Sequence, residues 1–116
     1  MSSEHDIFID TSEPPATVRD VIAGALGGAF QPSLDPEPVP ALAVGATKVF
    51  FHDSHPFEDD TDFPASRYRY WVSVEDSARD DSRQLAVAQR VFDAVKAAGW
   101  PSLLSYDLQG FIAQHP

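Results

Sequence analysis

The residues most capable of chemistry stand together in one polar segment, which reads His52-Asp53-Ser54-His55-Pro56-Phe57-Glu58-Asp59-Asp60-Thr61-Asp62. Imidazole and carboxylate groups together can hold a divalent metal ion. The spacing does not fit a calcium loop, because an EF-hand requires a glycine at its sixth position and this segment has none. Asp10 could add a ligand to the His-x-x-His pair only if the fold brings it close. We therefore predict no metal site, and we interpret residues 53–64 as an acidic loop.

The same segment places a serine, a histidine and an aspartate side by side, at Asp53, Ser54 and His55. A catalytic triad needs a base oriented by a buried acid and an oxyanion hole, and sequence neighbours rarely form one. The glycines within residues 24–28 fit neither a dinucleotide fingerprint nor a phosphate-binding loop. The chain has no cysteine, which excludes disulfides and thiolate chemistry. We therefore predict no catalytic residue and no cofactor.

Charge is distributed unevenly along the chain, whose formal net charge is −10. Residues 1–62 contain 12 acidic and 2 basic residues, whereas residues 63–116 contain 6 of each. Because an acidic surface repels phosphate groups, we expect neither nucleic acid nor an anionic membrane as a partner. A basic partner protein fits the charge, although acidity also serves solubility alone. The N-terminus lacks the pattern of a signal peptide, and no apolar run could span a bilayer, so we expect a cytoplasmic protein.

The elements that would position these residues follow a β-α-β-β-α-β order. Strand-like segments are predicted at residues 5–10, 41–52, 67–75 and 102–108. Ser12 is the expected N-cap of the first helix, which Gly27 ends, and Asp80 begins a second helix that stops at Gly99. Helical spacing marks two apolar stripes, Val18, Val21, Ile22, Ala25 and Leu26 in the first helix and Leu85, Ala88, Val91, Phe92 and Val95 in the second.

The third strand has the clearest pattern, a strict alternation over residues 67–75. The alternation predicts an inward face of Tyr68, Tyr70, Val72 and Val74. It predicts an outward face that begins with Arg67, Arg69 and Trp71. Tryptophan and arginine are enriched at binding hot spots, so this outward face is a candidate binding platform.

This element order predicts one α+β domain over residues 1–116. The expected architecture is ferredoxin-like, with a four-stranded antiparallel sheet in the order 4-1-3-2 and both helices on one face. Residues 29–40 contain four prolines and are predicted to be a surface connector. Residues 109–116 are predicted to be a short tail, in which Phe111 and Ile112 are available to dock on the sheet. One pole should unite the ends of several elements: Asp10, Glu13, His52, His55, the acids of residues 58–62, Arg67 and Trp100.

Three segments resemble small acidic immunity proteins of bacterial toxin–immunity systems. They are Phe8-Ile9-Asp10-Thr11-Ser12, the strand Arg67-Tyr68-Arg69-Tyr70-Trp71-Val72-Ser73-Val74, and the closing unit from Val91-Phe92-Asp93-Ala94 to Leu103-Leu104-Ser105-Tyr106-Asp107. The resemblance implies a non-enzymatic protein that binds and neutralises a partner. It assigns a role to no individual residue.

The sequence thus favours a non-enzymatic protein-binding module that meets a basic partner through its acidic surface. The candidate partner-binding residues are Glu58, Asp59, Asp60, Asp62, Arg67, Arg69 and Trp71. The alternative is a small ligand-binding domain or enzyme that acts as a homodimer, with its site on the open face of the sheet. A titrating residue perturbed within a pocket would favour that alternative.

Overall fold

The computed structural model describes residues 4–33, 39–55, 57–59, 64–106 and 110–115. Across these residues the chain forms one seven-stranded antiparallel sheet and two helices. The elements are β1 His5–Ile9, α1 Pro15–Leu26, β2 Gln31–Ser33, β3 Val39–Val44, β4 Thr47–His52, a 3-10 turn Ala65–Arg67, β5 Tyr70–Asp76, α2 Asp81–Ala97, β6 Ser102–Tyr106 and β7 Gly110–His115. The strand order is β2-β3-β4-β5-β1-β6-β7.

The α+β class, the antiparallel sheet and the two helices are confirmed, but the expected count of four strands is wrong. The predicted strand 41–52 is a hairpin of β3 and β4, because Gly45 adopts a positive φ of 59° and allows a tight turn. The predicted connector 29–40 contributes β2, and the predicted tail 109–116 forms β7 against β6. The four central strands, β6-β1-β5-β4, do lie in the order expected for the four predicted ones.

Helix boundaries follow local chemistry, with one correction. The N-cap of α1 is Pro14 rather than Ser12, and it makes no side-chain cap bond. Proline suits this position because its missing N–H would have no helical partner there. Gly27 ends α1 in the left-handed conformation, as predicted. Asp80 caps α2 by accepting a hydrogen bond from the Arg83 N–H at 3.0 Å.

Both helices cover one face of the sheet and bury a continuous apolar core there. The large side chains of this core include Ile7, Ile9, Val18, Ile22, Leu42, Val49, Phe51, Tyr70, Val72, Val74, Val91, Phe92, Val95 and Leu104. Tyr70 and Phe92 are buried in this core while Arg69 is exposed, which confirms the predicted register of β5. No helix in the described part of the chain is long and apolar enough to cross a membrane.

The predicted inward position of Tyr68 is wrong. The strand begins at Tyr70 instead of Arg67, and the chain before it makes a 3-10 turn, so the alternation does not extend back to Tyr68. Tyr68 instead packs with Phe8 and Leu103, away from the helices. Phe8 alternates with two residues of the helix-covered core, so this second cluster lies on the opposite face of the sheet.

The two edges of the sheet differ in how they avoid pairing with other chains. Edge strand β2 has Pro32 directly opposite Pro40, and proline has no N–H to offer a further strand. Edge strand β7 contains a bulge, because its pairing with β6 steps from Phe111 to Ala113 across adjacent β6 residues. Ile112 is the extra residue of the bulge and is 45% exposed.

Candidate functional site

The face opposite the helices is covered in part by the acidic loop. Phe57 packs edge-on against Phe8 and Trp71, with ring centroids 5.6 and 4.9 Å apart. Trp71 is half-buried and Phe8 is fully buried, so the loop supplies part of a second, aromatic core. Offset and edge-on aromatic contacts of this kind add to the free energy gained by burying apolar area. The part of the loop around Phe57 is therefore packed on the sheet.

His55 fixes the middle of the loop through both of its ring nitrogens. Its Nε2 lies 2.7 Å from the backbone oxygen of Tyr68, and its Nδ1 accepts from the backbone N–H of Phe57 at 3.2 Å. The ring also meets Phe8 edge-on at 5.9 Å and stacks on Phe57 at 5.5 Å. A single side chain thus joins the loop to the start of β5 and to β1.

Asp59 fixes the far end of the described loop. Its carboxylate accepts the backbone N–H of Ser66 at 2.6 Å and the Ser66 hydroxyl at 2.7 Å. These two hydrogen bonds, the backbone one foremost, lower the pKa of Asp59 from its ordinary value. The predicted partner-binding residue Asp59 therefore also has a structural role, which is to hold the loop to the 3-10 turn.

Between these attachments the loop presents carboxylates to solvent. Asp53 and Glu58 are exposed, and so is Glu13 at the neighbouring start of α1. Among the described residues the ion pairs are Arg67 with Asp10 and Arg83 with Asp76, so neither uses these three carboxylates. Asp60 and Asp62 lie outside the described residues. The described part of the pole therefore contains fixed, exposed negative charge.

The three other candidate binding residues do not form the predicted platform. Arg67 pairs with Asp10 at 3.5 Å, with both side chains 40% exposed, and such a surface pair contributes only about 0–1 kcal/mol. Arg69 lies over the ring of Tyr70 at 4.8 Å. Trp71 lies on the face of the sheet opposite the helices, as the alternation predicts, and packs there against Phe57. The platform does not form because β5 starts late, which leaves Arg67 in the 3-10 turn and off the strand.

A row of buried polar groups beside Trp71 was missed by the sequence analysis. The indole N–H of Trp71 donates to Oδ1 of buried Asp6 at 2.7 Å. Asp6 stands between Ser73 and Ser105 on neighbouring strands, and the buried Ser105 hydroxyl has no hydrogen-bond partner among the described residues. The sequence did contain one indication of this row: Asp6 is two residues before Phe8 and therefore lies on the same face of the sheet, the face that was expected to be open.

His52 completes this row and brings together the residue types of a nucleophilic site. Its ring stacks on Trp71 at 4.0 Å and 16°, and its Nε2 lies 3.2 Å from the Ser73 hydroxyl. A histidine within reach of a serine is one part of an activated nucleophile. The Ser73 side chain is only 4% exposed, so a substrate does not reach it while the face is covered. We find here a structural polar network and assign it no catalysis.

Within the described ranges, no group of three or more histidine, aspartate or glutamate side chains is placed to hold a metal ion. The predicted pole is partly seen: Asp10 pairs with Arg67, and the Tyr70 hydroxyl donates to the backbone oxygen of Glu13 at 2.6 Å. Comparison of the chain with protein-family models, with curated proteins and with solved structures gave no match.

Proposed function

We propose that this chain is a non-enzymatic protein-binding module whose acidic loop receives a basic partner. The observation that supports the proposal is the attachment of the loop. His55, Phe57 and Asp59 tie it to the sheet, while Asp53 and Glu58 between and beside them stay exposed. A loop already held in place loses less conformational entropy when a partner docks, so more of the interaction energy appears as affinity.

Electrostatics defines the class of partner. The chain has a net charge of −10, and the first 62 residues account for all of it. Exposed carboxylates attract a basic surface during diffusional encounter, and this speeds association more than it prolongs the complex. An immunity-type protein that covers a basic toxin is the form of this function that we favour. Trp71, half-buried beside the loop, would then contribute to the lifetime of the complex.

The test is an affinity capture from the source organism with matched baits. One bait is the natural chain, a second has Asp53→Asn with Glu58→Gln, and a third has Asp20→Asn with Asp93→Asn. The third bait loses the same charge from exposed positions on the two helices. We expect a basic protein on the first and third baits and at least tenfold less of it on the second.

Binding kinetics at two salt concentrations then separate charge steering from packing. We expect the loop variant to associate more slowly and with less salt dependence, at a nearly unchanged dissociation rate. Trp71→Ala should instead speed dissociation. If all three baits recover the same proteins, or recover only further copies of this chain with kinetics indifferent to salt, the proposal is wrong. The homodimeric alternative would then take its place.

A further inference from the structure

Two backbone groups face the ring nitrogens of His55 and indicate which nitrogen carries the proton. The backbone N–H of Phe57 can only donate, so the Nδ1 atom facing it at 3.2 Å must be an acceptor and holds no proton. The backbone oxygen of Tyr68 can only accept, so the Nε2 atom facing it at 2.7 Å must be protonated. The loop is therefore attached through a neutral imidazole in one tautomer.

A second proton would remove half of this attachment. Protonation of Nδ1 places one N–H against the N–H of Phe57, and two donors facing each other repel. The Phe57 N–H then loses its acceptor beside a half-buried aromatic side chain, and an unsatisfied amide in such a place is unfavourable. The Tyr68 contact survives, because Nε2 keeps its proton. Protonation therefore loosens the Phe57 side of the loop and leaves the Tyr68 side attached.

We infer that His55 is a pH-sensitive latch, which holds Phe57 against the sheet when neutral and releases it when protonated. Imidazole is the side chain whose charge ordinarily changes between about pH 5 and 8, and this general property sets the pH range of the test. Release would withdraw Phe57 from Phe8 and Trp71 and free the exposed carboxylates from their fixed positions. The consequence for partner binding rests on the proposed function, whereas the latch itself does not.

Other titratable groups stand around the ring and define the pH range of the test. Asp53, Glu58 and Asp59 are near it in sequence, and the segment before β5 contributes Arg67 and Tyr68. On the face that Phe8 shares, β1 contributes Asp6 and β4 contributes His52, which stacks on Trp71. Carboxyl groups ordinarily titrate near pH 4, and phenol and guanidinium groups above about pH 10. Measurements between pH 8 and pH 5 therefore keep the contribution of the carboxyl, phenol and guanidinium groups small, and a variant at His52 controls for the second imidazole.

Amide hydrogen exchange of the free protein, followed residue by residue with NMR, tests the latch. We expect the protection of the Phe57 amide, corrected for the intrinsic effect of pH on exchange, to fall at least tenfold between pH 8 and pH 5. Amides of the central strands β1 and β5 should keep their protection over the same range. Protection of Phe57 that is unchanged across the range would overturn the inference.

Three variants assign the effect to this histidine. His55→Gln keeps a donor for the Tyr68 backbone oxygen, and His55→Asn keeps an acceptor for the Phe57 N–H. Neither side chain titrates. In each variant that folds, the protection of the Phe57 amide should therefore be independent of pH. His52→Gln removes the histidine that stacks on Trp71 and should leave the pH-dependent loss intact. The inference would also be overturned if the pH-dependent loss of Phe57 protection persisted in the His55 variants, or if it disappeared in His52→Gln. Because no partner is present, failure of the basic-partner proposal would not affect this result.

Discussion

The two faces of the sheet are built in different ways. Two helices cover one face with aliphatic stripes, and the resulting core runs from β3 to β6 without interruption. The other face is covered near β1 by a loop, whose aromatic side chains pack on Phe8 and whose position depends on individual hydrogen bonds. β1 lies between the two and is buried along its whole length. The helix-covered face provides most of the stability, while the loop-covered face positions polar and charged groups.

This difference implies a difference in local stability. Segments with few buried apolar contacts open at lower free energy than core elements do. The loop depends on His55, Phe57 and Asp59, whereas α2 buries six residues along 17 positions. The loop-covered face should therefore be able to open while the helix-covered face stays folded.

The largest expected effect belongs to the helix-covered core. Phe92 is buried on α2 and packs within the same cluster as Tyr70 and Val72. Phe92→Ala removes most of a buried aromatic side chain and leaves a cavity, so we expect a loss of about 3–5 kcal/mol in the free energy of unfolding. Urea denaturation followed by circular dichroism measures it. An unchanged midpoint would contradict the burial of Phe92 and the architecture drawn from it.

A pH-dependent effect is expected at the end of β5. Arg83 donates to buried Asp76 at 2.6 and 2.8 Å, Thr47 donates at 2.8 Å, and the backbone N–H groups of Ala78 and Asp80 add two more bonds. The Arg83 hydrogen bonds, foremost among these, hold the pKa of Asp76 well below its ordinary value. A carboxylate with a depressed pKa stabilises the fold above its unfolded pKa of about 3.9, and this contribution is lost as the pH falls further.

Asp76→Asn should therefore lower the stability at pH 7 and weaken its decline toward low pH. The measurement is the urea midpoint at pH 7 and at pH 3 for both proteins. The natural chain should lose more stability between these values than the variant loses. Equal losses would show that other carboxylates dominate the acid response.

A smaller effect is expected from the aromatic attachment of the loop. Phe57 is only half-buried, so Phe57→Ala should cost about 1–2 kcal/mol, less than the change at Phe92. It should also shift the fluorescence of Trp71, whose ring meets Phe57 edge-on at 4.9 Å. A Trp100→Phe background, tested first for an unchanged fold, isolates the Trp71 signal. If Phe57→Ala proves as damaging as Phe92→Ala, the proposed difference between the faces disappears.

The smallest effect on stability should come from the exposed carboxylates. The Asp53→Asn, Glu58→Gln variant changes two exposed side chains that make no ion pair with any residue the structure describes. Its unfolding free energy should therefore stay within about 0.5 kcal/mol of the natural value. Thermal denaturation at low and moderate salt provides the comparison. A large loss would mean that the charges serve the fold, and any change in partner capture could then not be assigned to binding.

Sequence periodicity by itself determined the helix-covered face. The alternation of Tyr70, Val72 and Val74 and the stripe of α2 are local patterns, and they hold because a half-buried strand or helix repeats its environment every two or 3.6 residues. Helix ends at Gly27 and Asp80 were also predictable, since their backbone and side-chain chemistry acts within one turn. The order of the central strands followed from these elements and the handedness of their connections.

Only the tertiary structure decided the loop-covered face and the edges. The contact of His55 with the Tyr68 backbone and that of Trp71 with Asp6 join residues 13 and 65 positions apart, and a single hydrogen bond leaves no repeating pattern in the sequence. β7 likewise forms only because β6 is already in place to pair with it. Its short sequence carries a bulge, which interrupts the alternating pattern of a strand, so residues 109–116 were interpreted as a tail. Periodic burial is encoded locally, whereas hydrogen bonds between distant groups are decided only when the fold brings their atoms within 3 Å or so.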